Sequence, residues 1–169
     1  MKITLIAAVD DCIGIGKDNQ IAWQKDEDMK HFRSYTEGIV VVMGRKTWDS
    51  LPVKPLPRRE NWVISSNGSV VDVDNPLHID VYPCNSVDDA IWFGSCLNGT
   101  ENEINELCII GGESIYEQFM PHATDLVITR IKGDYQCDRL FPAIDLNVWQ
   151  RYDIDVKDTC RIEYYKRKG

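Results

Sequence analysis

Several features that would remove a chain from the ordinary globular class are missing here. No uninterrupted apolar run approaches the roughly 18 residues of a membrane-spanning helix, so no membrane span is expected. Neither a P-loop nor a G-x-G-x-x-G fingerprint occurs, and no C-x-x-C pairs two thiols. Positive charge is in short supply: 19 Lys and Arg face 27 Asp and Glu, a net charge of −8, which argues against general binding to nucleic acid. With 11 Gly and 7 Pro in 169 residues, collagen-like and low-complexity readings fall away. His31, His78 and His122 lie far apart and share no metal-type spacing with the six scattered cysteines, Cys12, Cys84, Cys96, Cys108, Cys137 and Cys160. No metal is expected, and the thiols read as reduced structural residues.

What is present fits a single domain over residues 1–169, a length inside the usual range of about 100 to 200. The apolar opening from Ile3 to Val9 stops at Asp10-Asp11, so it reads as a buried first strand and not as a signal peptide. A cytoplasmic monomer is the expectation. A Gly-rich loop covers Asp10 to Ile21, and a helical pattern runs from Glu27 to Thr36 with Gly38 ending it. The run Ile39-Val40-Val41-Val42-Met43 is a strand buried on both faces, and Gly44-Arg45-Lys46-Thr47 then opens a short helix through Leu51. Beyond the proline-broken segment Pro52 to Pro57, Trp62 to Ser66 reads as a strand and Asn67-Gly68 as a turn. Ser86 caps a helix through Phe93, Leu107 to Ile110 is another buried strand, and a helix from Glu113 to Met120 follows Gly111-Gly112. Leu126 to Lys132 makes a further strand. Tyr152 to Val156 and Arg161 to Lys166 form a hairpin about Lys157-Asp158-Thr159. The polar stretch Gly94 to Glu106 reads as a solvated insertion without a function.

This order predicts an α/β three-layer sandwich: a mostly parallel central sheet, helices on both faces and an antiparallel C-terminal edge. Ligands in such folds sit beyond the carboxyl ends of strands. The unusual residues fall there, in the loop after strand one, at Gly44 to Thr47, at Ser65-Ser66 and at Gly111-Gly112. Gly44-Arg45-Lys46-Thr47 offers a glycine, two cations and a hydroxyl at a helix start, which suits a phosphate better than it suits a merely solvated pair. Gly111-Gly112 before Glu113-Ser114-Ile115-Tyr116 is either a second phosphate cradle or a plain turn. Asp28 shares a helical face with Phe32 and Tyr35 and has Met29 beside it; in an apolar cleft its pKa would rise, as suits a cationic heterocycle or proton transfer. Taken alone, Asp26, Glu27 and Asp28 read more simply as acids complementing a helix dipole.

Read in order, Ile6-Ala7-Ala8, IGKDNQIAW (Ile15 to Trp23), Asp28, Phe32, VMGRKTWDSL (Val42 to Leu51), PLPRR (Pro55 to Arg59), ISS (Ile64 to Ser66) and IIGGESIYEQF (Ile109 to Phe119) resemble dihydrofolate reductase over nearly the whole chain. The ordered set is far more specific than any member. What the resemblance implies is a dihydrofolate-reductase-like fold and an oxidoreductase that uses NADPH to reduce 7,8-dihydrofolate to 5,6,7,8-tetrahydrofolate. Hydride goes to pterin C6 and a proton to N5, in the service of one-carbon and thymidylate metabolism. By this likeness Asp28 would bind the pterin's amidine edge and promote N5 protonation, Trp23 would order a nearby water, and Tyr116 would lie close to the nicotinamide. Ile6, Ala7, Met29, Phe32 and Ile110 would line the pterin pocket, Thr129 would support Asp28, and Leu51 and Leu56 would flank the aminobenzoyl ring. Arg59, with Lys54 nearby, would take the glutamate α-carboxylate bidentately.

For NADPH, the resemblance assigns Ala8 and the loop Gly14, Ile15, Gly16, Lys17, Asp18, Asn19 and Gln20 to the nicotinamide side, as a lid. Gly44, Arg45, Lys46 and Thr47 would meet the phosphates, and Ser65 and Ser66 the adenosine 2′-phosphate, which with Arg45 favours NADPH over NADH. Ile110, Gly111, Gly112, Glu113, Ser114, Ile115, Tyr116 and Gln118 fall on the pyrophosphate side, with a cis bond between the paired glycines. Dihydrofolate and antifolate-type small molecules are the implied partners. The chain departs from the usual pattern at Ala22, where proline is common, at Arg58 in place of glycine, at Lys54 where arginine is frequent, and at the bulky Trp62. Two other readings remain: a reductase of another pterin or of a riboflavin precursor, against which Arg59 argues, and a catalytically silent binding or assembly protein, against which Asp28 and Trp23 argue.

Overall fold

The aliphatic and β-branched runs assemble into an eight-stranded sheet in the computed structural model, which describes residues 1–67, 80–97 and 103–169. In chain order the elements are β1 (Lys2–Val9), β2 (Gly14–Gly16), α1 (Asp26–Thr36), β3 (Val40–Gly44), α2 (Arg45–Ser50), β4 (Asn61–Ile64) and β5 (Val81–Cys84). They continue with α3 (Val87–Cys96), β6 (Glu106–Gly111), α4 (Glu113–Phe119), β7 (Asp125–Ile131), β8 (Arg139–Leu140), β9 (Trp149–Val156) and β10 (Cys160–Arg167). The sheet order is β5-β4-β3-β6-β1-β7-β10-β9. Its pairs from β5 to β7 are parallel and the last two antiparallel, as the sequence implies. β2 and β8 form a separate two-stranded ribbon.

Two apolar layers sandwich the sheet, because alternate side chains of each strand point to opposite faces. On one face Phe32 and Tyr35 of α1 and Trp48 of α2 pack on Ile6, Val41, Met43, Val63 and Cys108. On the other, Val87 and Ala90 of α3 and Ile115, Tyr116 and Phe119 of α4 pack on Leu5, Ala7, Val42, Trp62 and Ile109. β6 lies between β1 and β3, so the chain skips a position on each side of it and opens a crevice at the strands' carboxyl ends. The loops after β1, β3, β4 and β6 all emerge there.

Some sequence expectations need correcting. Gly94 to Glu106 is not a solvated insertion throughout. Gly94 closes against Met1 and Leu107 in α3, Ile104 is buried, and the Glu106 carboxylate accepts from Thr4 Oγ1 at 2.6 Å and Tyr35 Oη at 3.0 Å. Residues 98–102 of that stretch, and Gly68 of the expected Asn67-Gly68 turn, lie outside the described residues. β5 holds Pro83, which reads as a strand breaker, yet it is tolerated because β5 is an edge.

At the antiparallel end one carboxylate is buried. Glu163, 1% exposed, accepts from Tyr165 Oη at 2.7 Å and pairs with Arg130 Nε at 2.9 Å, Arg161 Nε at 3.0 Å and Arg151 Nη1 at 3.4 Å. Burial pushes this carboxyl up, but the Tyr165 hydroxyl and the guanidiniums outweigh it and leave it below its ordinary value of 4.5. A carboxyl depressed in the folded state contributes stability above its unfolded pKa, and that contribution is lost as pH falls through the folded value. Solvent screens Arg151 and Arg161, so Arg130 and Tyr165 carry most of the effect. Glu163→Gln is expected to lower unfolding stability at pH 7 by about 1.5–3 kcal/mol, read from the urea midpoint. It should also flatten the decline of stability below pH 4.5. An unchanged midpoint at pH 7 would remove this role.

Candidate active site

α1 begins with three acids, and only Asp28 among them turns inward, at 7% exposure. Burial raises its carboxyl above the usual aspartate value, while the Thr129 hydroxyl draws it partly back. Trp23 is itself buried and packs edge-on to Tyr135 at 5.3 Å, and its Nε1 makes no direct hydrogen bond. Beside this acid a single apolar cluster brings together Ile6, Phe32, Leu51, Leu56 and Ile110. Two predicted lining residues sit differently. Ala7 alternates onto the opposite face with Tyr116, as a period of two requires, and Met29 is 38% exposed.

The far side of the cluster carries Arg59, 7% exposed with its guanidinium 6.0 Å from the Phe32 ring. Its Nε donates to the Pro57 carbonyl at 3.1 Å, its Nη1 is buried without a partner, and burial lowers its pKa from the ordinary value. Lys54 does not join it: Nζ bonds the Trp48 and Asp49 carbonyls at 3.3 and 3.1 Å, closing the end of α2. Arg58 occupies the left-handed region at φ 60, the conformation for which glycine is favoured. It is held there by an ion pair with Glu37 at 2.8 Å and by the Gly38 N–H on its carbonyl at 3.0 Å.

The β3–α2 and β6–α4 turns meet. A Cβ on Gly44 would lie 2.9 Å from Ile115 Cγ1, and one on Gly112 would lie 3.3 Å from Thr47 Oγ1. Neither Gly44 nor Gly112 supplies a side-chain cap to the helix it begins. Lys46 is exposed, Thr47 and Ser65 half-buried and Ser66 exposed on adjoining loops. Arg45 pairs with Asp49 at 3.0 Å, Gln118 folds back on Ser114, and Glu113 turns to the Leu140 N–H at 2.9 Å and to Arg139. The Gly111–Gly112 bond is cis, as the resemblance implies. Gly111 has φ +121, and a Cβ there would press on the Tyr116 ring at 3.3 Å. Tyr116 donates its hydroxyl to the Ile6 carbonyl at 2.7 Å, and burial pushes its pKa upward, so it stays a neutral donor.

After β1 the loop folds over on a partner segment. Gly16 accepts from the Asp138 N–H at 3.0 Å, the Asp18 N–H donates to Asp138 Oδ2 at 3.1 Å, and Lys17 and Gln20 exchange backbone bonds at 2.9 Å. Asp18 and Asn19 have positive φ, which their short polar side chains tolerate; Ile13, at φ 59, does so against its β-branching. Gly14 and Gly16 are buried, Ile15 is half-buried, and Lys17 to Gln20 are exposed.

Three supporting residues escaped the sequence reading. Asp10, 1% exposed, ties the loop down by accepting from Cys12, Gly14 and Tyr135 N–H groups at 2.9, 2.8 and 3.0 Å. Burial raises its carboxyl, and these donors more than reverse the rise. Asn61 holds the PLPRR loop through bonds to Leu56 N, Leu56 O and Arg59 O at 2.9, 3.0 and 2.9 Å. Glu27, next to Asp28, accepts from the Asp158 and Thr159 N–H groups at 3.3 and 2.7 Å and from the Thr159 hydroxyl, pinning α1 to the β9–β10 turn. The only sequence signal for these was a polar residue at an element boundary.

Comparison with known proteins places this arrangement. The chain matches the family described as dihydrofolate reductase over residues 2–166. Dihydrofolate reductase from Neisseria meningitidis serogroup A is 40% identical over 154 residues, covering 89% of this chain and 85% of the relative. That from Heliothis virescens is 35% identical over 156 residues, covering 86% and 81%. Among solved structures, dihydrofolate reductase from Enterococcus faecalis, complexed with NADP(H) and RAB-propyl, superposes with a TM-score of 0.84 at 25% identity, covering 99% of this chain and 97% of that one. By its ordered motifs, its crevice and these likenesses, the chain belongs to the dihydrofolate reductase family.

Proposed function

We infer that the chain is an NADPH-dependent dihydrofolate reductase, and that Asp28 and Arg59 fix the two ends of its substrate. The observation that carries this is a buried carboxylate and a buried, unpartnered guanidinium nitrogen about one apolar cluster, Asp28 one helical turn before Phe32 and Arg59 6.0 Å from the Phe32 ring. Dihydrofolate has the matching form: a cationic-edged pterin, an aromatic middle and a glutamate carboxylate. Asp28 accepts from the amidine edge and supports the proton that arrives at N5, while Trp23 Nε1, buried and without a direct partner, orders the water that reaches this edge. Thr129 steadies the Asp28 carboxyl. Ile6, Phe32 and Ile110 exclude bulk water from the reacting ring, and Leu51 and Leu56 hold the aminobenzoyl group.

The glycine apposition and the donors beyond the strand ends fit a dinucleotide that carries an extra phosphate. NADPH supplies the hydride when bound. Lys46 and Thr47 serve its phosphates, Ser65 and Ser66 the 2′-phosphate, and the Gly14 to Gln20 loop the nicotinamide side. Gly112 permits close backbone approach, whereas Glu113 belongs to the loop's docking and Lys54 to α2. Because all three parts must align closely, positioning is the main source of rate. The described cysteines are all unpaired, which suits a reducing cytoplasm.

Loss of NADPH absorbance on adding dihydrofolate, faster than with NADH, is the expected result; no oxidation while the cofactor still binds would favour another pterin substrate. Asp28→Asn should lower turnover about 10²-fold at pH 7, with the deficit shrinking in acid, where solvent protonates N5 directly. A deficit constant across pH would overturn the proton-supporting role. For Arg59→Leu, KM for dihydrofolate should rise roughly 10-fold or more with kcat nearly kept, in steady-state assays. A fall in kcat alone would contradict it.

A further inference from the structure

Next to the Gly14 to Gln20 loop and Tyr116, but lined by none of the residues assigned to folate or NADPH, a second concavity opens beneath the loop that follows β8. It encloses about 220 Å³. Val9 and Ile128 form its floor, Ile13, Phe141 and Ile144 its walls, and Arg130 is the one charged residue among the described residues that line it. The floor lies on the α3–α4 face of the sheet, where Val9 and Ile128 belong to the same apolar layer as Phe141. The walls are firmly set. Ile13 is held at φ 59 with its N–H on the Asp10 carbonyl at 3.1 Å and its carbonyl accepting from the Phe141 N–H at 2.9 Å, and Phe141 packs on the Tyr116 ring at 4.9 Å.

Charge decides what such a cavity holds. Arg130 shares the Glu163 carboxylate with Arg151 and Arg161, so three guanidiniums have one carboxylate among them, a local excess of two positive charges. In β10 register, Arg161 stands opposite Arg130 and Glu163 opposite Ile128, so the cationic cluster adjoins the cavity on the same face. The chain as a whole carries −8, so the patch runs against the overall sign. A guanidinium presents five N–H donors in a planar fork, and Arg130 commits its Nε to Glu163, at 2.9 Å, and also bonds the Tyr165 hydroxyl, which leaves only part of the fork for a ligand. The space suits one ring with a short chain, since an apolar cavity of about 150 Å³ already accepts benzene.

We propose that this cavity binds a small amphiphilic anion, with an aryl or alkyl body against Ile128 and Phe141 and a carboxylate or similar oxyanion on Arg130. The ligand class follows from apolar walls and a rim where three guanidiniums share one carboxylate: a neutral apolar molecule would leave the surplus charge unmatched, and a bare inorganic anion would leave the walls unfilled. The site is separate from the folate and nicotinamide positions and independent of the reductase reading.

The test uses 4-phenylbutyrate and its neutral counterpart 4-phenylbutyramide, titrated calorimetrically into the protein saturated with NADPH and an antifolate, so that the other sites are filled. The acid should bind at least tenfold tighter than the amide and weaken as salt rises. Arg130→Met and Ala143→Phe, the latter plugging the cavity without touching the Glu163 cluster, should each weaken it tenfold or more, and Ala143→Phe should keep the antifolate affinity. Absence of binding to the wild type, equal affinity for acid and amide, or undiminished binding by Ala143→Phe overturns the proposal. Failure of the antifolate to bind would count against the reductase reading alone, and the acid–amide comparison on the free chain then decides the cavity.

Discussion

One buried hydrogen bond joins the parts on which the crevice depends, the bond from the Tyr116 hydroxyl to the Ile6 carbonyl. It spans from α4, the helix after the central strand β6, to β1 beside it, across the point where the strand order reverses. No water replaces it readily in so dry a place, and an unsatisfied carbonyl there would cost about 1–3 kcal/mol. The bond also sets what surrounds it. Tyr116 lies so close to Gly111, which has φ +121, that a side chain at that position would be strained in its backbone and would crowd the ring. Its ring in turn braces Phe141, and the loop after β1 docks on the segment that leads to Phe141. A single donor thus ties the sheet, the paired glycines and the loop into one frame.

Within that frame, two opposite charges are buried about one apolar cluster, and each is held by a residue that does not itself face the cluster's ligand. Glu27 fastens the start of α1, and so Asp28, to the β9–β10 turn. Asn61 threads three bonds through the loop that presents Leu56 and Arg59. Both are polar groups spent on backbone, which converts flexible segments into fixed ones. The desolvation that makes Asp28 and Arg59 costly to bury is what leaves them responsive to a complementary ligand.

Much of this was legible beforehand. The valine run of β3 and the Leu107 to Ile110 run of β6 read as buried strands and are buried parallel strands, and Ile6, Phe32, Leu51, Leu56 and Ile110 lie in one apolar cluster. What was not legible depended on contacts distant in sequence. Lys54 resembles a ligand cation until α2 is seen to end beside it. Glu113 resembles a cradle residue until β8 arrives to take its carboxylate. β5 hid behind its proline and β2 behind its shortness, and the polar stretch after Gly94 concealed Ile104 and the Glu106 carboxylate, whose partners Thr4 and Tyr35 come from two other elements. Side-chain type shows what a residue is able to do; only packing shows which of those capacities is already spent.

Arg58 shows which kind of contact holds a strained corner. A side chain stands at φ 60, where the family resemblance implies glycine, and its guanidinium meets Glu37 at the end of α1. That ion pair is open to solvent on both sides, so screening leaves it worth about 1 kcal/mol or less, and charge does little to offset the left-handed backbone. The bonds that fix the corner are main-chain ones, the Gly38 N–H on the Arg58 carbonyl and Asn61 on the Arg59 carbonyl. The side chain at this position is therefore free to vary in charge so long as the backbone it hangs from stays tied.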